Sequence, residues 1–269
     1  MELHKKKRLL ELCSRASLAA GKAILEIYDS NFAVEQKDDK SPLTEADKQS
    51  HLAIVEILKE IGIPILSEEG RDIPFEERKD WEYFWMIDPL DGTKEFVKRN
   101  GEFTVNIALI HDQKAVMGII YVPVKDDLYI GAQGVGSFKI ERFSELHDAS
   151  AEALLSDKKK LPKVVDRKYT IVGSRSHMSS ETEQFIENKR EEQGEIEMIS
   201  VGSSLKLCMV AEGLADDYPR FAPTMEWDTA AGQAIVEAMG GKVIDWETKA
   251  VMKYNREDLL NKWFLVTKA

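Results

Sequence analysis

Cysteine is scarce: two residues in 269, Cys13 and Cys208, stand far apart with no Cys-x-x-Cys or Cys/His ligand spacing. That spacing excludes a disulfide scaffold and a structural zinc site, and leaves both as reduced thiols in or near the core. Long apolar runs are missing as well. The longest uncharged apolar stretches, 103–110 and 115–124, fall short of the ~18–20 residues that a membrane-spanning helix needs. No secretory signal forms, because Glu11, Arg15 and Lys22 interrupt the segment behind Lys5, Lys6, Lys7 and Arg8 before an apolar region can develop. A soluble cytoplasmic protein is expected, with at most a weak peripheral attraction of those four bases to the inner face of a membrane. An excess of basic charge is also lacking. With 37 Lys and Arg against 48 Asp and Glu, the net charge is −11, and such a surface repels a phosphate polymer, so nucleic acid is excluded as the main partner. Neither an internal repeat nor a low-complexity segment is present.

What is present is a chain that is 43% hydrophobic, enough to bury a core of one or two domains. Leu9, Cys13, Ala16, Ala20, Ile24 and Ile27 recur at helical spacing and predict a helix over 9–28. A second helix is predicted from Thr44, then a buried strand over 63–67 ending in Glu68, Glu69 and Gly70. After a charged loop over 71–80, strands over 83–87, 103–110, 116–122 and 128–132 suggest an antiparallel meander closed at Gly134 and Gly136. Gly134-x-Gly136 is too short for a dinucleotide fingerprint and fits a hairpin turn. The charged, weakly patterned segment 141–167 is the expected connection between an N-terminal lobe, 1–150, and a C-terminal lobe, 151–269. The second half alternates in α/β fashion: strands over 169–172, 195–201 and 217–221, helices over 179–190, 204–211 and 229–239, and closing strands over 242–246 and 263–266.

The string Trp85-Met86-Ile87-Asp88-Pro89-Leu90-Asp91-Gly92-Thr93 carries most of the chemistry. A buried strand delivers Asp88, Pro89 turns the chain, and Asp91 comes round on the same side, so two carboxylates and the Leu90 carbonyl can converge. Converging anions call for a cation, and an all-oxygen donor set suits Mg²⁺ or Mn²⁺ better than zinc. A turn or helix opening at Gly92-Thr93-Lys94 would present N–H groups to a phosphate. Taken alone, each remaining acid has a plainer role: Glu68 and Glu69 as a solvated loop pair, Asp228 as a helix N-cap, and Asp47 as part of a capping-box-like Thr44-x-x-Asp47 start.

Together, Glu68-Glu69, Asp88-Pro-Leu-Asp-Gly-Thr93 and Trp227-Asp-Thr-Ala-Ala-Gly232 resemble the three signature blocks of the inositol monophosphatase superfamily of metal-dependent, lithium-sensitive phosphatases. The resemblance covers nearly the whole chain. Within it, residues 88–110 are similar to the bacterial 3'(2'),5'-bisphosphate nucleotidases, whereas inositol monophosphatases typically carry Thr-Asn-Phe where Thr93-Lys94-Glu95-Phe96 stands here. The resemblance implies a layered αβαβα sandwich, with an antiparallel sheet in the N-terminal lobe and a mixed one in the C-terminal lobe. It implies that Glu68, Asp88, the Leu90 carbonyl, Asp91 and Asp228 hold two or three Mg²⁺ ions, and that Thr93 and Asp47 orient and deprotonate the attacking water. It further implies that Gly92, Ser203, Lys206 and Arg220 help to hold the nucleotide, with His177 near the adenine. For Lys206 alone, a solvated helix face reads equally well. The implied reaction removes the 3'-phosphate of adenosine 3',5'-bisphosphate, giving AMP and phosphate, and 3'-phosphoadenylyl sulfate is a second candidate substrate. Two rivals stand beside it: an inositol or sugar monophosphatase on the same site, and a catalytically dead nucleotide-binding regulator, which the retained Asp91 and Thr93 argue against.

Overall fold

The computed structural model describes residues 1–30, 42–146, 150–163, 166–173 and 179–268. Five layers stack in the order helices, sheet, helices, sheet, helix, which is the sandwich expected from the signature blocks. The outer layer is α1 (Leu3–Tyr28) and α2 (Pro42–Leu58). Helix α1 begins six residues before the apolar periodicity does, because His4 to Arg8 are mostly good helix formers and need no core contact. Of the basic residues there, Lys6 donates to the Gln133 carbonyl and Lys7 lies 4.0 Å from Glu152, so the cluster is not a free basic face and the expected membrane attraction finds no support. No helix among the described residues is long and apolar enough to cross a membrane. Cys13 and Cys208 are both free and buried.

The first sheet runs in sequence order: β1 (Ile65–Ser67), β2 (Tyr83–Asp91), β3 (Thr104–His111), β4 (Lys114–Val122), β5 (Asp127–Ala132), β6 (Gly136–Ile140) and β7 (Lys160–Leu161). Two expectations are corrected here. The sheet is not wholly antiparallel, since β1 runs parallel to β2 with Ser67 opposite Ile87. Nor do Gly134 and Gly136 close it: they turn the chain into β6, whose Ser137, Phe138 and Ile140 are buried, and β7 from the charged 141–167 segment pairs on beyond. A short helix α3 (Phe75–Arg78) sits in the predicted loop, and α4 (Thr93–Val97) follows β2.

Alternation along β3 divides the core. Val105, Ile107 and Leu109 face α1 and α2 in one cluster, while Ala108 and Ile110 belong to a second cluster on the opposite side. That second cluster is filled by α7 (Leu205–Glu212) and α8 (Glu226–Ala238), the central helical layer. Beyond α5 (Ala151–Leu154), the second sheet comprises β8 (Tyr169–Gly173), β9 (Ile196–Ser200), β10 (Asp217–Arg220), β12 (Lys242–Asp245) and β14 (Phe264–Thr267) in the order β12-β14-β10-β8-β9. It is mixed, as expected, with β8 parallel to both β9 and β10. Helix α6 (Ser180–Gln193) covers its outer face through Phe185 and Ile186. A two-stranded ribbon, β11 (Thr224–Met225) with β13 (Leu260–Asn261), was not foreseen, because two-residue strands carry no periodicity.

Helix α8 lies against β3, β4 and β5 through a seam of small residues. A Cβ on Gly118 would stand 2.0 Å from the Ala231 carbonyl oxygen, and one on Gly131 would stand 2.5 Å from the Ile235 Cα. Both obstacles are backbone, so they cannot swing aside. Gly118→Ala is therefore expected to lower the unfolding free energy by about 1–3 kcal/mol, the usual penalty of overpacking. Urea unfolding of the variant against the wild-type protein measures it.

Candidate active site

The parallel pairing of β1 and β2 brings their carboxyl ends side by side, and the Glu68 N–H donates to the Ile87 carbonyl at 3.2 Å. Glu68 thereby leaves β1 beside Asp88. Pairing of β2 with β3 breaks between Asp88 and Asp91, so Pro89 and Leu90 bulge out of the ladder, and the Leu90 N–H donates to Asp88 Oδ1 at 3.1 Å. This is the predicted convergence: a bulge re-aims the second aspartate to the same side as the first. The bulge is pinned from α2, where the buried Ser50 hydroxyl donates to the Pro89 carbonyl at 2.7 Å. Asp47 lies one turn earlier on that helix. Gly92 follows with φ 103°, and a Cβ there would press on Phe103 Cα, the Glu102 carbonyl and Ser203 Cβ at 3.1–3.2 Å, so only glycine fits without strain.

Asp228 arrives from the other half of the chain. It is not the N-cap of α8; that helix starts two residues earlier, Met225 is the cap, and the Asp228 carboxylate accepts from the Met225 N–H at 2.9 Å. The start of α8 is fixed by Glu226, a fully buried carboxylate that accepts from the Asn255 and Arg256 N–H groups and from Arg256 Nε. Asn261 secures it further through the Thr224 and Thr229 hydroxyls and the Met225 carbonyl.

Glu68, Asp88, Leu90, Asp91, Gly92, Thr93, Ser203, Lys206, Arg220 and Asp228 line one pocket of about 310 Å³. Burial and then neighbouring acids raise the proton affinity of Asp88, Asp228, Asp47 and Glu68. Asp88 is driven well above the carboxylate range by burial and by Asp91 and Glu68. Asp228 is pushed to about 8 by burial and Asp91. Asp47 likewise reaches about 8 through burial and the charges of Glu69 and Glu68. Glu68 is shifted the same way although its side chain meets solvent at the rim. Among the described residues, no three His, Cys, Asp or Glu side chains are drawn together closely enough to hold a metal ion as placed, although Glu68 and Asp88 stand within hydrogen-bond reach of each other. Their chemistry nonetheless fits a hard divalent cation: Glu68, Asp88, Asp91 and Asp228, with Glu95, open onto one pocket without His or Cys, and Asp47 Oδ1 is buried with no hydrogen-bond partner among the described residues.

The same pocket also carries cations. Lys206 is 6% exposed, not on a solvated helix face. Its ammonium donates to the Ser203 carbonyl at 2.6 Å and the Val201 carbonyl at 3.3 Å and lies 5.6 Å over the Tyr218 ring. Burial lowers its pKa to about 8. Arg220 ends β10 with Nη2 on the Pro223 carbonyl and a buried Nε that has no partner among the described residues.

The family model for the inositol monophosphatase family matches residues 5–268. The chain belongs to that family. Among the family's proteins, 3'(2'),5'-bisphosphate nucleotidase CysQ of Salmonella typhimurium is 43% identical over 267 residues, spanning 96% of this chain and 99% of the relative, and CysQ of Escherichia coli K12 is 41% identical over the same shares. The crystal structure of CysQ from Bacteroides thetaiotaomicron superposes with a TM-score of 0.92 at 46% identity, covering 97% of each chain. An inositol monophosphatase from Anabaena gives 0.71 at 26% identity, covering 97% of this chain and 90% of its own.

Of the residues expected from the family blocks, all but Asp47 and His177 line the pocket. His177 lies outside the described residues. Asp47 stands close enough for its charge to act on Asp88, and its Oδ1 is buried without a hydrogen-bond partner among the described residues. Its capping reading fails: α2 begins at Pro42, which puts Thr44 and Asp47 inside the helix. Ser203, with φ 44°, precedes the helix cap Ser204 by one residue. Sequence reasoning missed the residues that hold these groups: Ser50, Glu226, Asn261, Asn106 and Ser204. Their signal is a polar residue on an otherwise apolar stripe, as Asn106 is in β3.

Acids whose proton affinity rises on folding favour the folded state at low pH, and that contribution is lost as the pH climbs through their folded values. For Asp228, the loss is complete above about 8. Asp228→Asn removes one repelling charge and keeps an oxygen for the Met225 N–H. In excess EDTA at pH 8 the variant is expected to melt a few degrees above wild type, where roughly 1 kcal/mol corresponds to ~2–4 °C. A lower melting temperature would contradict the electrostatic account.

Proposed function

We propose that the protein is a Mg²⁺-dependent 3'(2'),5'-bisphosphate nucleotidase that hydrolyses the 3'-phosphate of adenosine 3',5'-bisphosphate to AMP and phosphate. The observation that carries this reading is that one pocket is lined both by the acids Glu68, Asp88, Asp91 and Asp228 and by the cations Lys206 and Arg220. The acids suit a divalent cation and the phosphate it carries, and the cations suit a second phosphate. The CysQ relatives bear the name of that activity, which supports the reading.

Two or three Mg²⁺ ions, replaceable by Mn²⁺, would be held by Glu68, Asp88, the Leu90 carbonyl, Asp91 and Asp228. When bound they supply positive charge that offsets the carboxylates, draws in the phosphate and stabilises the leaving oxygen. Asp47 offers a buried oxygen with a raised proton affinity near neutral pH, the condition for a general base that takes a proton from the attacking water. Thr93 opens α4 at the exposed rim of the pocket and orients that water. Lys206 spends two of its three N–H groups on the Val201 and Ser203 carbonyls, which fixes the strained Ser203 turn and leaves one donor for the 5'-phosphate. Arg220 adds its free Nε, and Ser203 its hydroxyl.

Phosphate release from adenosine 3',5'-bisphosphate and inositol 1-phosphate, compared with Mg²⁺ and with or without Li⁺, tests the reading. Lithium-sensitive turnover of the nucleotide is expected, and preference for inositol 1-phosphate would overturn the nucleotide assignment. Arg220→Ala is expected to raise KM for the bisphosphate roughly 10- to 100-fold, the range for a hydrogen bond to a charged group, with a smaller effect on adenosine 3'-monophosphate. Equal losses on both substrates would remove Arg220 from the 5'-phosphate.

A further inference from the structure

Behind the pocket acids lies a hydrogen-bonded chain of three neutral side chains, Thr104, Asn106 and Ser204, that fall outside the three signature blocks. Thr104 Oγ1 donates to Asn106 Oδ1 at 3.0 Å, Asn106 Nδ2 donates to Ser204 Oγ at 2.8 Å, and Ser204 Oγ meets Asp91 Oδ2 at 2.5 Å and the Asp228 carbonyl at 2.8 Å. All three side chains are at most 2% exposed. We propose that Thr104, Asn106 and Ser204 form a directional relay of donors that aims Asp91 at the metal position, with Ser204 as the positioning residue. The inference rests on the reading of Asp91 as a metal ligand.

Three observations support it. First, the relay has one consistent direction. Ser204 has a single proton; because it already accepts from Asn106, that proton is free for Asp91, and a charge-assisted bond to a carboxylate is shorter and stronger than one to a carbonyl already engaged in a helix. Were the Asn106 amide reversed, its oxygen would face Ser204 and take that proton, leaving Asp91 without its donor. In the arrangement present, the Thr104 hydroxyl donates to Oδ1 and the amide turns its N–H to Ser204.

Second, the relay follows the sheet register. Thr104 is opposite Asp91 and Asn106 opposite Asp88 across the bulged pair of β2 and β3, so the donors sit on the strand next to the acids. Third, the stripe that Thr104 and Asn106 share continues as Ala108 and Ile110, both buried in the apolar cluster beneath α7 and α8. Packing alone would be served there by apolar side chains, and buried amides and hydroxyls are retained at a cost unless they are fully paired and used. Ser204 is also the N-cap of α7, yet its side chain makes no capping bond to that helix and is turned to Asp91 instead. One hydroxyl thus links the aspartate of the N-terminal half to the first turn of α8 in the C-terminal half.

Mg²⁺ titration calorimetry on EDTA-treated, dialysed protein tests the relay, with kcat and KM measured alongside. Ser204→Ala is expected to weaken Mg²⁺ binding about tenfold or more, the usual effect of losing a partner that orients a ligand, and to lower kcat with KM for the nucleotide unchanged. Because that variant strands the Asn106 amide, a second one replaces the whole relay by apolar groups of similar size: Thr104→Val, Asn106→Leu and Ser204→Ala together. Its melting temperature in EDTA should recover toward wild type while Mg²⁺ affinity stays low, which a purely structural role would not produce. Asp91→Asn is the reference. If it loses Mg²⁺ binding while the Ser204 variants bind as wild type, the relay is overturned. If Asp91→Asn itself binds Mg²⁺ normally, the ligand assignment fails and this inference falls with it.

Discussion

Carboxylates of like charge repel one another, and the site asks several of them to open onto one small pocket. Burial makes this harder, because each ionised acid loses water as it gains a like-charged neighbour. What holds them there is neutral scaffolding. A parallel strand pair sets Glu68 beside Asp88, a bulge turns Asp91 to meet them, and Ser50 ties that bulge to α2. A buried glutamate and an asparagine fix the first turn of α8, so that Asp228 arrives from across the sandwich. Apart from the Glu226–Arg256 ion pair, each anchor is a hydrogen bond to backbone or to a neutral side chain, and Glu226 itself does not line the pocket. The fold thus spends stability of its layers on a local arrangement that is unfavourable by itself, as sites poised for chemistry commonly do.

The small-residue seam beneath α8 serves the same end. With glycine at 118 and 131, the helix backbone lies directly on the sheet, and its first turn is brought level with the carboxyl ends of β1 and β2. A larger residue at either position would lift the helix and carry Asp228 away from its partners. Sheet register and helix height are therefore two coordinates of one pocket, set by elements more than a hundred residues apart in sequence.

Much of this was legible in the sequence because the chemistry coincided with strong local signals. The apolar run before Asp88 marks a strand, Pro89 a break and Gly92 a turn, so the convergence of Asp88 and Asp91 follows from residue types alone. The start of α8 was misjudged because Glu226 reads as a surface charge, whereas Arg256 and two backbone N–H groups make it a buried anchor. Lys206 was ambiguous for a similar reason: its burial depends on carbonyls of Val201 and Ser203 that only the folded loop brings within reach. The hairpin turn read at Gly134-x-Gly136 is present, but its second strand, β6, was given no range and the sheet was expected to end at the turn. Asn106 stood in view inside an apolar strand, but its partner Ser204 is distant in sequence, and periodicity within a segment carries no information about such pairs.

The central position of α7 and α8 also bears on how the chain is made. The face of the first sheet that carries Ala108, Ile110, Ile120 and Val122 is covered by helices encoded after residue 204. While the polypeptide emerges from the ribosome, that sheet can pair its strands but has nothing to cover its second face until nearly the whole chain has been synthesised. An exposed apolar surface on a partly built sheet is the ordinary substrate of holding chaperones and the ordinary seed of aggregation. The protein's vulnerable interval thus falls during its own translation, and it ends when the helix bearing the last acid docks.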